Sequence, residues 1–174
     1  MNTMLGRIVS LNDLLALEAD RIMQGEKMLL QALPGWMQRV SFIQLRNILS
    51  QYHSYIEHHT ELMTGFFIIQ PATPYAKTKH NRVINALIED TNERLHLCAD
   101  PEIYDACLLA AIQEINHYKI SIYGTVTAFC NELGQRDMAA IFLRAEKDEK
   151  RIDEQLSFQA QSEINELAKT PVIK

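Results

Sequence analysis

Five ionisable residues fall on helical faces that are otherwise composed to avoid water. Glu26 has Ile22 and Met23 one turn before it and Leu29 and Leu30 one turn after. His59 lies between Ile56 and Met63, and Glu149 is bracketed by Phe142, Ala145, Ile152 and Leu156, with Asp153 one turn further along the same side. Lys119 interrupts a stripe made of Leu108, Ile112, Ile115, Ile122, Val126 and Phe129. Residues three and four apart share one face of a helix, so all five side chains are aimed inward. An isolated buried charge is very costly, and these groups must therefore meet one another or a metal ion. Carboxylates and imidazoles projected from four helices are how dimetal-carboxylate proteins hold their ions. On that chemistry Glu26, His59, Glu149 and Asp153 are the candidate ligands, for iron, manganese or zinc.

The usual dimetal pattern draws one Glu from each of two helices and a Glu-x-x-His pair from each of the others. One literal match exists, Glu114-x-x-His117. Glu114 shares its face with Cys107, Ala110, Ala111 and Ser121, a smaller-residue side than that of Lys119. Either this pair faces a neighbour, or rotation of the helix brings it partly inward. The face around Ala110, Glu114 and Ser121 is also the candidate contact between two chains. His53, Glu57, His58 and Glu61 read as a solvated face, because His53-x-x-x-Glu57 has no matching His-containing pair elsewhere. The chain shows neither a Ser/His/Asp or Cys/His arrangement nor a phosphate-cradling glycine loop, and its Met residues read as core filler.

The elements that carry these residues are helices. Leu15, Ala19, Ile22, Leu29 and Leu33 mark a first helix, expected to stop near Pro34-Gly35. Ser41 is placed to cap a second, with Leu45, Leu49, Tyr52, Ile56, Met63 and Phe67 on one side and the PATP loop (71–74) after it. A shorter helix follows around Val83, Leu87 and Leu95. Asp100-Pro101 opens a third long helix that runs to Gly134, with Asp as N-cap and Pro in the first turn. The last begins near Asp137 and frays before Thr170-Pro171. Four long helices in two hairpins predict an all-α antiparallel four-helix bundle, one domain over 1–174, with a short extra helix in the crossover at about 71–99.

Composition narrows the function. The chain has 174 residues and a net charge of −5, so it lacks the basic footprint of a nucleic-acid or anionic-membrane partner. It contains no long apolar run and no signal-peptide pattern. Three cysteines without CxxC spacing argue against a disulfide framework or zinc site, and a reducing cytoplasm is the expected compartment.

Several runs resemble the YciE/YciF family of ferritin-like proteins: GEKMLLQALPGW (25–36), ALIEDTNERL (86–95), ADPEIYDACLLAAIQ (99–113), NHYKISIYGTVTAFCNELG (116–134) and DEKRIDEQL (148–156). They occur in the family's order and span nearly the whole chain. The resemblance implies a ferritin-like bundle with a dimetal centre, in bacterial stress-associated homodimers. It also implies that Glu26, Glu149 and Asp153 match acidic family positions and that His59 matches a Gln/His position. The family's Glu one turn before His59 is Tyr55 here, and its Glu-His-Tyr-Glu is Asn116-His117-Tyr118-Lys119. Both acidic groups of that segment are gone, and one has become a base.

Two functions follow. In the first, the protein binds metal, with Tyr118 or Tyr123 as nearby hydrogen-bond donors, and oxidises Fe(II) or scavenges peroxide. In the second, it is a metal-free, non-catalytic stress or partner-binding bundle in which Lys119 neutralises Glu26 and Glu149.

Overall fold

The computed structural model describes residues 8–69 and 81–169; the side chains of 66–69 are not included in that description. Six helices, in order α1 (Leu11–Met37), α2 (Ile43–Ile69), α3 (Arg82–Leu97), α4 (Pro101–Glu132), α5 (Arg136–Gln159) and α6 (Asn165–Leu167), account for most of the described residues. A π-helical turn, Ala160–Ile164, joins the last two. The described residues contain no strand. The fold is an all-helical bundle. The PATP loop and the side chain of Phe67 lie outside what is described.

Helix ends follow sequence rules where the partner is local. The Asp100 side chain accepts from the Ile103 N–H at the start of α4, and Pro101 occupies the first turn. At its far end Gly134 takes φ +71°, and the amides of Gly134 and Gln135 bond back to the carbonyls of Asn131 and Cys130. That pair of bonds is a Schellman stop, which favours glycine.

Three local expectations are corrected. Helix α1 does not stop at Pro34-Gly35 but runs on to Met37. A proline so near the end deprives only one carbonyl of its intrahelical donor, and tertiary bonds hold the last turn. The Trp36 indole donates to Asn92 (2.7 Å), and the Trp36 carbonyl accepts from Tyr104 OH (3.0 Å). Ser41 does not cap α2. Its amide (3.2 Å) and hydroxyl (2.6 Å), together with the Phe42 amide (2.7 Å), donate to the buried carboxylate of Asp105 on α4. A carboxylate from another helix thus satisfies the start of α2 and favours the positive end of its dipole. In α3 the buried face is Ile84, Thr91 and Leu95, while Val83 is exposed.

The apolar core falls into two clusters. One joins Leu29 and Leu33 of α1, Leu45 to Ile56 of α2, Tyr104 to Ile115 of α4, and Ile152 and Leu156 of α5. The other joins Leu15 to Met23 of α1, Met63 of α2, Tyr123 to Cys130 of α4 and Met138 to Ala145 of α5. The start of α1 therefore meets the end of α2, and the end of α4 meets the start of α5, so each pair is a helical hairpin. Helix α3 packs on α1 and α4. Between the clusters each long helix skips one apolar step, at Glu26, His59, Lys119 and Glu149.

Candidate metal centre

The four skipped steps converge. Glu26, Lys119 and Glu149 have no solvent exposure, and His59 is almost fully buried. The Lys119 ammonium lies 2.7 Å from Glu149 Oε1 and 2.9 Å from Glu26 Oε2. It also donates to Tyr52 OH at 3.0 Å and sits 4.5 Å from the centre of that ring. The Glu26 contact is an ion pair without hydrogen-bond alignment. The other Glu26 oxygen accepts from Tyr123 OH, and the other Glu149 oxygen accepts from Asn116 Nδ2 at 2.7 Å. Every carboxylate oxygen in the group thus already faces a cation or a donor.

His59 closes the group on its remaining side. Its Nδ1 is 3.5 Å from Glu26 Oε1 and 3.8 Å from Glu149 Oε1, and it has no hydrogen-bond partner. The opposite ring nitrogen lies 3.3 Å from Asp148 Oδ2, which reaches toward the surface. Tyr55 stacks on the imidazole, and Tyr123 meets it edge-on. Glu26, His59 and Glu149 each offer one ligand atom within 4.8 Å of the others, so these three could hold a metal ion.

Two carboxylates and one ammonium leave the group short of positive charge, and Glu149 registers the deficit. Burial first, and then the neighbouring Glu26, push its carboxyl up to about 7 in spite of Lys119. Burial works in the same direction on Glu26, but Lys119, His59 and Tyr123 outweigh it and hold that carboxyl below the ordinary glutamate range. For Lys119 burial acts to lower the value, yet Glu149 and Glu26 raise it above that of a free lysine. Burial, reinforced by the carboxylates, keeps Tyr52 and Tyr123 protonated well past their usual range.

The linkage has a definite sign. Glu149 binds its proton more tightly folded than unfolded, so its contribution to stability falls as pH rises from about 4.5 to about 7. Chemical denaturation across that window should show the decline, and Glu149→Gln should flatten it. An unchanged slope in the variant would contradict the assignment.

The remaining sequence candidates lie elsewhere. Asp153 is not brought into the group: its Oδ1 meets His117 at 3.2 Å and Gln113 at 3.4 Å. Glu114 is exposed and forms a two-bond fork with Arg94 of α3 (2.9 and 3.1 Å), and His117 is exposed, so the Glu-x-x-His pair faces outward. Of the two tyrosines proposed as donors, Tyr123 serves Glu26, while Tyr118 joins Arg21 and Asn81 at the α1–α3–α4 junction. His53 and Glu57 pair at the surface, 3.7 Å apart. Tyr55 accepts from Gln51 and Arg151. Sequence reasoning missed Asp148 as the outer partner of His59 and Tyr52 as a third contact of Lys119. A hydroxyl on the apolar face two turns before His59 was the available signal for Tyr52.

The family description "Domain of unknown function (DUF892)" matches residues 10–169. The chain belongs to this family, the YciE/YciF family. Protein YciF of Escherichia coli (strain K12) is 34% identical over 85 residues, 49% of this chain. The match spans about half the length of that curated relative, 51%. The crystal structure of the E. coli stress protein YciF superposes with a TM-score of 0.83 at 24% identity, covering 91% of this chain and 99% of that one. YcfI from Rhodopseudomonas palustris gives a TM-score of 0.81 at 24% identity, over 90% and 98% of the two chains. These two likenesses show that the YciE/YciF fold is shared. No helix among the described residues is long and apolar enough to cross a membrane.

Proposed function

We propose that this protein is a ferritin-like, single-domain bundle in which a buried lysine replaces the dimetal centre, serving as a non-catalytic, stress-associated scaffold or partner-binding protein. The observation that carries the reading is the position of the Lys119 ammonium, within 3 Å of an oxygen of Glu26 and of Glu149. Two hard cations need several free oxygen ligands, and the group offers two carboxylates whose oxygens are already engaged. A divalent ion beside an ammonium would also be repelled, by an energy on the order of several kcal/mol at an effective dielectric near 20. A dimetal centre does not fit these residues.

A second reading rests on a different observation. His59 Nδ1 is buried without a hydrogen-bond partner and aims at the two carboxylates. One iron, manganese or zinc ion on Glu26, His59 and Glu149 would supply that partner, provided that it displaced the lysine from Glu149. Elemental analysis of protein purified without chelator separates the two. The lysine reading expects bound metal below roughly 0.1 per chain and a melting midpoint indifferent to EDTA, because the cation is covalently part of the chain. Near one ion per chain, with a midpoint that falls on chelation, would establish the single-metal reading instead.

A further inference from the structure

A cavity of about 320 Å³ lies between the end of α1, the last turns of α3 and the start of α4, and it shares no residue with the buried ion group. Trp36, Leu95 and Tyr104 are buried and form its apolar, largely aromatic floor. Hydrogen bonds fix that floor. The Trp36 indole donates to Asn92 Oδ1 at 2.7 Å, which uses the acceptor end of that amide and leaves its NH2 to donate elsewhere. The Trp36 carbonyl accepts from Tyr104 OH at 3.0 Å and from the Arg39 amide at 3.2 Å. The carbonyl end of α1 that borders the cavity is therefore already bonded.

The charge of the cavity is one-sided. No Asp or Glu lines it, in a chain whose net charge is −5. Arg39 and His96 are its exposed basic side chains. The Arg39 guanidinium lies over the Tyr104 ring, 4.3 Å from its centre, and among the described residues it has neither an ion pair nor a side-chain hydrogen bond. Arg21 and Arg94, by contrast, each meet a carboxylate at 2.8 Å. Stacking on an aromatic face holds a guanidinium in place and leaves its N–H edge, a planar fork that matches a carboxylate in two parallel bonds. We infer that this cavity binds a small aromatic carboxylate. The ring packs on Trp36, Leu95 and Tyr104, and the acid accepts a two-bond fork from Arg39, with His96 and Asn92 as further donors. The volume is at the small end of the range for ligand pockets, which suits one ring and its acid group rather than a large cofactor. A bare anion would use only the fork and a neutral ring only the floor, so both halves act together on a ligand that carries both.

The test titrates benzoate into the full chain, with benzamide, acetate and inorganic phosphate as comparisons. Trp36 is the one tryptophan of the chain, so its indole N–H gives a single NMR signal within the site. Benzoate is expected to move that signal and to saturate with a Kd of roughly 1 mM or below, and the other three to bind about tenfold more weakly or worse. Arg39→Met removes the fork and keeps an apolar stem against Tyr104. It should weaken benzoate about tenfold or more, with a melting midpoint within about 2 °C of the parent, because Arg39 is exposed. Arg144→Met, outside the cavity, should leave binding unchanged. On the unaltered chain, benzamide binding as tightly as benzoate, phosphate binding more tightly, or no response at about 10 mM benzoate would each overturn the inference. Benzoate binding that is indifferent to Arg39→Met would overturn it as well.

Discussion

Replacing Lys119 by methionine is expected to lower the melting midpoint by roughly 10 °C near neutral pH. Methionine fills much of the same volume, so the dominant loss is charge. Glu26 and Glu149 would remain without solvent contact and without their shared counter-ion. Breaking a buried pair by removing one partner costs about 3–5 kcal/mol, and about 2–4 °C of midpoint accompanies each kcal/mol in a chain of this size. Two further observations belong to the same mechanism. The deficit should shrink in mild acid, where the orphaned carboxylates can take up protons. It should also shrink when Glu149→Gln is added, since one unpaired charge then disappears. A variant that melts within about 2 °C of the parent, metal-stripped, would show that the ammonium does not hold the bundle together.

The second large effect runs in the opposite direction. The double substitution Asn116→Glu with Lys119→Glu is expected to raise bound manganese, iron or zinc from below roughly 0.1 to on the order of one or more per chain. Asn116 Nδ2 lies 2.7 Å from one Glu149 oxygen, and Lys119 Nζ lies 2.7 Å from the other. Carboxylates at both positions would face Glu149 and Glu26 across the same space, with His59 on the open side. Four buried carboxylates repel strongly unless a cation sits among them, so the metal-stripped variant should melt well below the parent and recover when metal is added. Elemental analysis and thermal scans with and without metal measure both halves. A folded double variant that stays metal-free would mean that Asn116 and Lys119 are not what excludes the ion.

Much of this site was legible before any coordinates, because helix periodicity is a local property. Glu26, His59, Lys119 and Glu149 each interrupt an apolar stripe at a spacing of three or four, and all four are buried. Asp153 obeys the same spacing but lies one turn along, and there α5 is close enough to α4 for His117 to take it. Periodicity states which way a side chain leaves its helix; it does not state what waits opposite. Asp148 illustrates the limit, since it appears in sequence as a mere neighbour of Glu149 and proves to be the outer partner of His59. Asp105 likewise reads as an ordinary helical acid, yet it holds the start of α2 in place of Ser41.

The order of helices, most of their ends, the inward face of the four long ones and the need for a positive companion among buried acids were all determined by the sequence. These depend on residues within a turn or two of one another, where sterics and hydrogen-bond reach are set by the chain itself. The identity of that companion, the donors on each carboxylate oxygen and the fate of Glu114 and Asp153 were decided by tertiary packing. A buried charge is stabilised only by what lies within a few ångströms, and in this bundle those neighbours come from other helices, distant in the chain.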